Sequence, residues 1–555
     1  MKLRNSVRNN STILLIGLIL TVLILFPLVS VFGEAIIVNG RLDLSYMIET
    51  IANSENITTI INSLILGLVV VIMSTIIAAP LAFLLVRTPI AKHKWLDIIL
   101  MIPFMTPPYI SSMGWILFMQ KKGLFQQMFP ATGDLSESFF SFFGLALVMS
   151  LHVFPFMLTI LKNALLNIST SLDESGAVFG GNFFYRLRKI LFPLLTGNYA
   201  IGALLVFVKT LSEYGTPATL GRRIGFYVFT TDIHRYATTS PIDFGKSASL
   251  SSVLIGICLL LWFLQNYITT RKSYNLVSGK GIRVSIKPMS KGFHILGWSY
   301  IALVCIVAIG IPYFSVVVTS LIKLRGYGMA RGNFTFDHYI SLFTANSKGI
   351  SAISTSLFLA VTAATISAFL GTLIVVAIRN SKNRFGKIVE VQGLLPEMLP
   401  NIVLVIGLML FWNKIYHIVA VYNTIWMMVI TYVVLFLPFT IQYVTSAFSQ
   451  INNSLLMAGR TFGGNPWYVF RRITLPLILK GVMTGWMMTF IITFRELVAA
   501  SLVSPPNTLT VSTYILKEFE QGSVSVGMAM AVICVLLTTT ALLVLNRFID
   551  RQKRG

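Results

Sequence analysis

Apolar residues come in runs of about 20, near 11–33, 61–86, 97–119, 139–161, 197–216, 247–269, 294–321, 352–378, 388–412, 420–446, 479–503 and 525–548. That is the length an α-helix needs to cross roughly 30 Å of hydrocarbon at about 1.5 Å per residue. The pattern predicts an all-α polytopic membrane protein of about twelve transmembrane helices, with 34–60 and 322–350 as polar loops. The first run follows Met1-Lys2-Leu3-Arg4. It is long and has no small-residue cleavage site behind it, so it is expected to be a retained helix.

The same punctuation recurs along the chain at nearly fixed offsets, which marks an internal duplication. Pro103, Met105, Pro107, Gly114 and Phe118 return as Pro396, Met398, Pro400, Gly407 and Phe411. Further on, Pro155-Phe156, Gly180-Gly181-Asn182, Ile190, Pro193 and Glu213 return as Pro438-Phe439, Gly463-Gly464-Asn465, Ile473, Pro476 and Glu496. Ile233 and Gly245 return as Ile515 and Gly527. The expected organisation is two homologous six-helix halves, 1–269 and 294–555, joined by a basic linker over 270–293. Six is even, so both halves insert with the same orientation.

Composition agrees with this reading: 55% of residues are hydrophobic, 11% are charged, and mean hydropathy is +0.80. A net charge of +24 would suggest nucleic acid in a soluble protein. Here it sorts by loop instead. With the N-terminus inside, the segments 1–10, 87–97, 162–195, 270–293, 379–390, 451–480 and 547–555 hold 28 of the 43 Lys and Arg but only 5 of the 19 acids. That bias orients the chain with both termini in the cytoplasm. It also removes the reason to invoke nucleic acid.

Chemistry inside the chain is sparse. Cys258, Cys305 and Cys534 lie in apolar runs and suggest neither disulfides nor a thiolate site. The six histidines lack metal-ligand spacing, so no metal is fixed and no catalytic set is expected. Gly245-Lys246-Ser247 looks like the tail of a phosphate-binding loop, but Ser240 stands where its first glycine would be.

Two polar stretches between the fourth and fifth helix of each half, about 163–195 and 447–478, are too patterned to be plain connectors. The first reads Asp173-Glu174-Ser175-Gly176-Ala177-Val178-Phe179-Gly180-Gly181-Asn182, then Arg186, Arg188, Lys189, Ile190 and Pro193. The second reads Met457-Ala458-Gly459-Arg460-Thr461-Phe462-Gly463-Gly464-Asn465-Pro466, then Arg471, Arg472, Ile473, Leu475 and Pro476. Small residues allow close approach. Gly180 and Gly463 suit a left-handed helix end, and each Asn suits the cap of a second helix.

These residues resemble the E-A-A-x-x-x-G…I-x-L-P motif of the membrane subunits of ABC importers, and over the whole chain the similarity is to fused permeases of the ferric-iron class. Glu174, Gly180, Ile190 and Pro193 match in the first copy, with Ser175 and Gly176 for the two alanines. Ala458, Gly463, Ile473 and Pro476 match in the second, where Met457 replaces Glu and Gly459 the second Ala. The resemblance implies a multi-pass permease in the bacterial inner membrane, with these residues as contacts for two copies of a cytoplasmic ABC ATPase. It further implies a substrate-binding protein outside, surrounding membrane lipid, and no cofactor in this chain, ATP and Mg belonging to the partner. Relatives of this architecture import thiamine, phosphonates, sugar phosphates or polyamines. The rival of another class is an ion-coupled secondary transporter.

Glu213 and Glu496 stand near the outer ends of equivalent helices. A carboxylate near hydrocarbon is costly unless it faces a cavity or a partner, so both are candidates for the substrate pathway. The alternative is a structural pair, bonded to Lys209 and Arg495. The Pro-rich starts at Pro103 and Pro396 are expected to kink or break the third helix of each half.

Overall fold

The computed structural model describes residues 2–38, 40–168, 170–271, 286, 289–345, 347–380 and 384–554. Of the expected linker, 272–285, 287 and 288 therefore lie outside the described residues. Among those described, ten helices are long and apolar enough to span a membrane: Ser11–Ile36, Ser54–Arg87, Phe142–Leu166, Phe184–Ser212, Phe244–Thr269, Lys291–Leu321, Lys348–Arg379, Ile425–Ser449, Pro466–Phe494 and Val524–Val544. Two further pairs pass only together, Trp95–Met105 with Pro108–Met119 and Phe385–Met398 with Asn401–Lys414, bent by 87° and 113°. Counting each pair as one span gives twelve. The loop expected at 34–60 holds a short antiparallel hairpin, Ile37–Val38 with Arg41–Leu42, and a helix, Ser45–Ala52.

The two bends occur where the prolines forbid continuation. Thr106 precedes Pro107 and adopts ψ 135°, because a residue before proline is pushed out of the helical region. Pro107 and Pro400 themselves sit at ψ 130° and 133°. The Thr106 hydroxyl shares a hydrogen bond of 2.7 Å with the Tyr313 hydroxyl and one of 3.0 Å with the Ile102 carbonyl, so the opened backbone has polar company.

The chain forms two compact units, one of Met1–Ala52, Ile233–Ile255 and Thr335–Gly555, the other of Asn53–Asp232 and Gly256–Phe334. Neither coincides with a sequence half, because the first helix of each repeat packs within the unit built on the other repeat. In the first unit, a methyl group on Gly407 would lie 2.6 Å from the Pro27 carbonyl oxygen. In the second, one on Gly114 would lie 2.6 Å from the Pro312 carbonyl oxygen. The duplicated glycine thus exists to admit the backbone of the exchanged helix. Each of these helices carries a π-turn just before its proline, Thr21–Leu25 before Pro27 and Ile306–Gly310 before Pro312. The wider turn accommodates a residue that lacks an N–H and crowds the preceding turn.

Phe142–Leu166 and Ile425–Ser449 are the most buried spans of their respective units. Their neighbours repair local defects. Pro80 inside Ser54–Arg87 leaves the Ile76 carbonyl without its helical donor, and the Tyr300 hydroxyl donates to Ile77 O at 3.0 Å and Ile76 O at 3.3 Å.

Candidate functional site

Helix Thr170–Val178 ends at Phe179, and Gly180 then takes φ +80°. The Gly180 N–H donates to Ala177 O at 3.0 Å and the Gly181 N–H to Gly176 O at 2.9 Å. In the second loop, helix Asn453–Thr461 ends at Phe462 and Gly463 takes φ +85°. Gly463 and Gly464 donate to Arg460 O and Gly459 O at 3.1 and 3.0 Å. Both ends are Schellman motifs, the arrangement in which a left-handed residue lets the last carbonyls be satisfied. Asn182 and Asn465 then cap the next helix, accepting from Tyr185 N–H at 2.8 Å and Tyr468 N–H at 2.7 Å.

The spacing of the motif has a packing reason. A methyl group built on Gly176 would fall 2.5 Å from Ile190 Cδ1, and on Gly459 it would fall 2.5 Å from Ile473 Cδ1. The small residue and the distant isoleucine close the two helices of each loop on one another. Gly181 and Gly464 are stricter. Their methyl groups would meet backbone, the Gly176 and Gly459 carbonyl oxygens, at 2.8 and 2.6 Å. Sequence reasoning placed both in the Gly-Gly turn without seeing that the second glycine is held by contact rather than by φ.

The second helix of each loop does not stop. Phe183–Arg186 passes through a π-turn, Leu187–Leu191, into Phe192–Ser212, with Pro193 in the first turn after the widening. Pro466–Val469, Phe470–Thr474 and Leu475–Phe494 repeat this, with Pro476 in the place of Pro193. The expected boundaries at 197 and 479 were therefore too late. The loop and the fifth span are one rod. At the other side of the loop, the Arg87 guanidinium is buried and bonds Ile168 O at 2.8 Å and Leu165 O at 3.4 Å, holding the end of Phe142–Leu166. In the second repeat's counterpart, Arg379 lies 4.6 Å over the Phe448 ring.

At its glycine turn each loop presents a large apolar side chain outward. Phe179 and Phe462 stand at equivalent positions and are 90% and 91% exposed. Val178, Phe184, Met457 and Trp467 are exposed beside them, as are Glu174, Ser175 and Ala458. The side chain of Asp173 lies outside the described residues.

Glu213 and Glu496 lie beyond the ends of their helices, in turns of the same plan. Glu213 accepts the Thr216 N–H at 3.0 Å, and Glu496 accepts from Val498, Ala499 and Ala500 at 2.9, 2.8 and 3.2 Å. The carboxylates cap the short helices that follow. Their own carbonyls accept from the Thr230 and Ser512 hydroxyls, and one residue earlier Phe229 and Val511 donate their N–H groups to Ser63 and Ser356, both at 2.8 Å. The expected helix 479–503 is thereby broken at Glu496. Sequence could not show this, since the partners are main-chain groups. Lys246 of the Gly-Lys-Ser stretch is paired with Asp243 at 3.4 Å, and the Tyr46 hydroxyl donates to Asp243 at 2.8 Å. Among the described residues no group of three or more His, Cys, Asp or Glu could hold a metal ion.

The model of a family described as the binding-protein-dependent transport system inner membrane component matches residues 90–274 and again 360–555. A ferric transport system permease protein of Actinobacillus pleuropneumoniae is 24% identical over 548 residues, 95% of this chain and 77% of that protein. An Fe(3+)-transport system permease protein of Haemophilus influenzae is 23% identical, with 96% of this chain and 97% of that one covered. A spermidine/putrescine transport system permease protein of H. influenzae is 27% identical over 242 residues, 44% of this chain and 91% of that protein.

Proposed function

This chain belongs to the family of binding-protein-dependent transport system inner membrane components and is a fused ABC-importer permease, and from that premise we propose that it carries ferric iron inward. The proposal rests on two relatives named for ferric transport that match nearly the whole chain, where the polyamine relative matches about half. In this reading both termini are cytoplasmic and a soluble receptor delivers cargo from outside. Two ATPase subunits seat on the loops, with Glu174, Ser175, Gly176, Gly180, Ile190 and Pro193 forming one contact and Met457, Ala458, Gly459, Gly463, Ile473 and Pro476 the other.

The single observation that carries the coupling role is the duplicated loop, an ordered Schellman turn that displays one bare aromatic ring and continues without a break into a membrane-spanning rod. A displacement of Phe179 or Phe462 is delivered along Phe183–Ser212 or Pro466–Phe494 to the glutamate-capped turn at the far end. ATP and Mg act on the partner, and the chain's part is mechanical. Glu213 and Glu496 then serve the pathway by fixing its outer turns.

Uptake of ferric iron in cells expressing the chain with its ATPase and receptor tests the cargo, with spermidine as the rival. Iron uptake that vanishes on deleting the chain is expected. Uptake of spermidine instead would replace iron. Cysteines at Ala177 and Thr461 should cross-link to the ATPase, and transport without either cross-link would remove the loops from coupling.

A further inference from the structure

In the unit of residues 53–232 and 256–334, the segment after the second span meets the start of the helix Lys291–Cys305. Gly297 makes the approach possible, for a methyl group there would lie 3.1 Å from both Ile90 Cδ1 and Leu84 Cδ2. The closeness sets Trp298 against two rings of the other segment. His93 meets it edge-on at 5.2 Å and Trp95 stacks at 6.1 Å, while His294, one turn earlier on the helix, lies at 6.5 Å. Lys92 and Lys94 flank His93, Lys291 precedes His294 by one turn, and all three lysines, His93 and Trp95 are exposed. Asp97, the acid nearest in sequence to Trp95, is engaged by Lys162 at 2.5 Å.

The duplicated scaffold does not need this cluster. At the repeat's offsets, His93 and Trp95 correspond to Gly386 and Ile388, and His294 and Trp298 to Asn9 and Ile13. Trp and His gathered in one unit and replaced by Gly, Ile and Asn in the other, while Lys94 returns as Lys387, indicate a local role for the rings rather than a packing requirement.

We propose that this cluster binds the headgroup of an anionic phospholipid. Indole rings favour the headgroup level of a bilayer, and basic side chains gathered beside membrane helices attract anionic lipid. Stacked Trp95 and Trp298 form a stiff apolar shelf for the glycerol region, while Lys92, Lys94 and Lys291 reach the phosphate on flexible stems. A zwitterionic headgroup brings its own ammonium into three lysines and is disfavoured. The assignment to the cytoplasmic leaflet rests on the proposed orientation, but the lipid preference does not.

The test uses the full chain reconstituted in equal amounts of phosphatidylglycerol and phosphatidylcholine, with retained lipid counted by native mass spectrometry. Phosphatidylglycerol should be held in preference, and Lys92→Gln/Lys291→Gln should lower the preference about fivefold for each lysine lost. Lys387→Gln/Arg547→Gln, the same charge loss elsewhere, should leave it unchanged. Equal losses in both variants would reduce the effect to bulk charge and overturn the site. Without any variant, brominated phosphatidylglycerol should quench tryptophan emission more than brominated phosphatidylcholine, and equal quenching would also overturn it. Excess inorganic phosphate should not displace the lipid; displacement would assign the cluster to a free anion. If side-specific labelling reversed the orientation, the preference would persist in the opposite leaflet, so the two readings fail separately.

Discussion

A methyl group on Gly464 would sit 2.6 Å from the Gly459 carbonyl oxygen, and neither atom has a side chain that can turn away. Gly464→Ala and Gly181→Ala should therefore cost about 1–3 kcal/mol of local packing and abolish coupled transport, measured as uptake at normal membrane levels. Gly176→Ala meets only side chains, the tip of Ile190 and the stem of Arg186, and should retain most uptake. The glutamates give a second contrast at this scale. Because Glu496 caps main-chain N–H groups, Glu496→Gln keeps an acceptor and Glu496→Ala does not, a difference of about 1 kcal/mol in capping. Initial uptake rates should fall in the order unmodified, Gln, Ala. A Gln variant as inactive as Ala would return the charge itself to the pathway. The sequence showed which residues were special in both cases but not against what, since the decisive partners, Gly459 O and the Ala499 N–H, belong to the backbone.

Helices are where the sequence was most legible, because about 20 apolar residues have few other fates in a membrane protein. Pro107 and Pro400 announced a break, yet no periodicity yields bends of 87° and 113°. The exchange of first helices had a readable trace that was missed: Pro27 and Pro312 repeat, but their apolar surroundings offered no Gly-Gly or charge to fix the alignment. The glycine facing each proline supplies the check. Gly114→Val and Gly407→Val should each prevent the exchanged helix from seating, seen as a lower melting temperature in detergent and poor accumulation, whereas Phe118→Leu nearby should be mild. Tyr300→Phe should cost about 1–3 kcal/mol, the penalty of a carbonyl within the membrane left without its donor.

At the scale of the molecule, orientation is the expectation with most depending on it. Cysteines at Lys387 and Thr344 should react with an impermeant thiol reagent from opposite sides of the membrane, because the segments grouped with 379–390 together hold 28 of the 43 Lys and Arg. Same-side labelling would void the assignment of the two loops to the ATPase face. The exchange of first helices also sets a timetable. The helix Ser11–Ile36 leaves the ribosome first, but its partner Asn401–Lys414 follows only after some 370 residues, about 20–70 s at ~5–20 residues per second. For most of that interval this helix waits in the bilayer without the spans of the second repeat that it packs against. Two chains cut within 272–285 should accordingly fail to accumulate when made apart and recover when made together, and the fused gene would owe its advantage to keeping both halves at the same place during that wait.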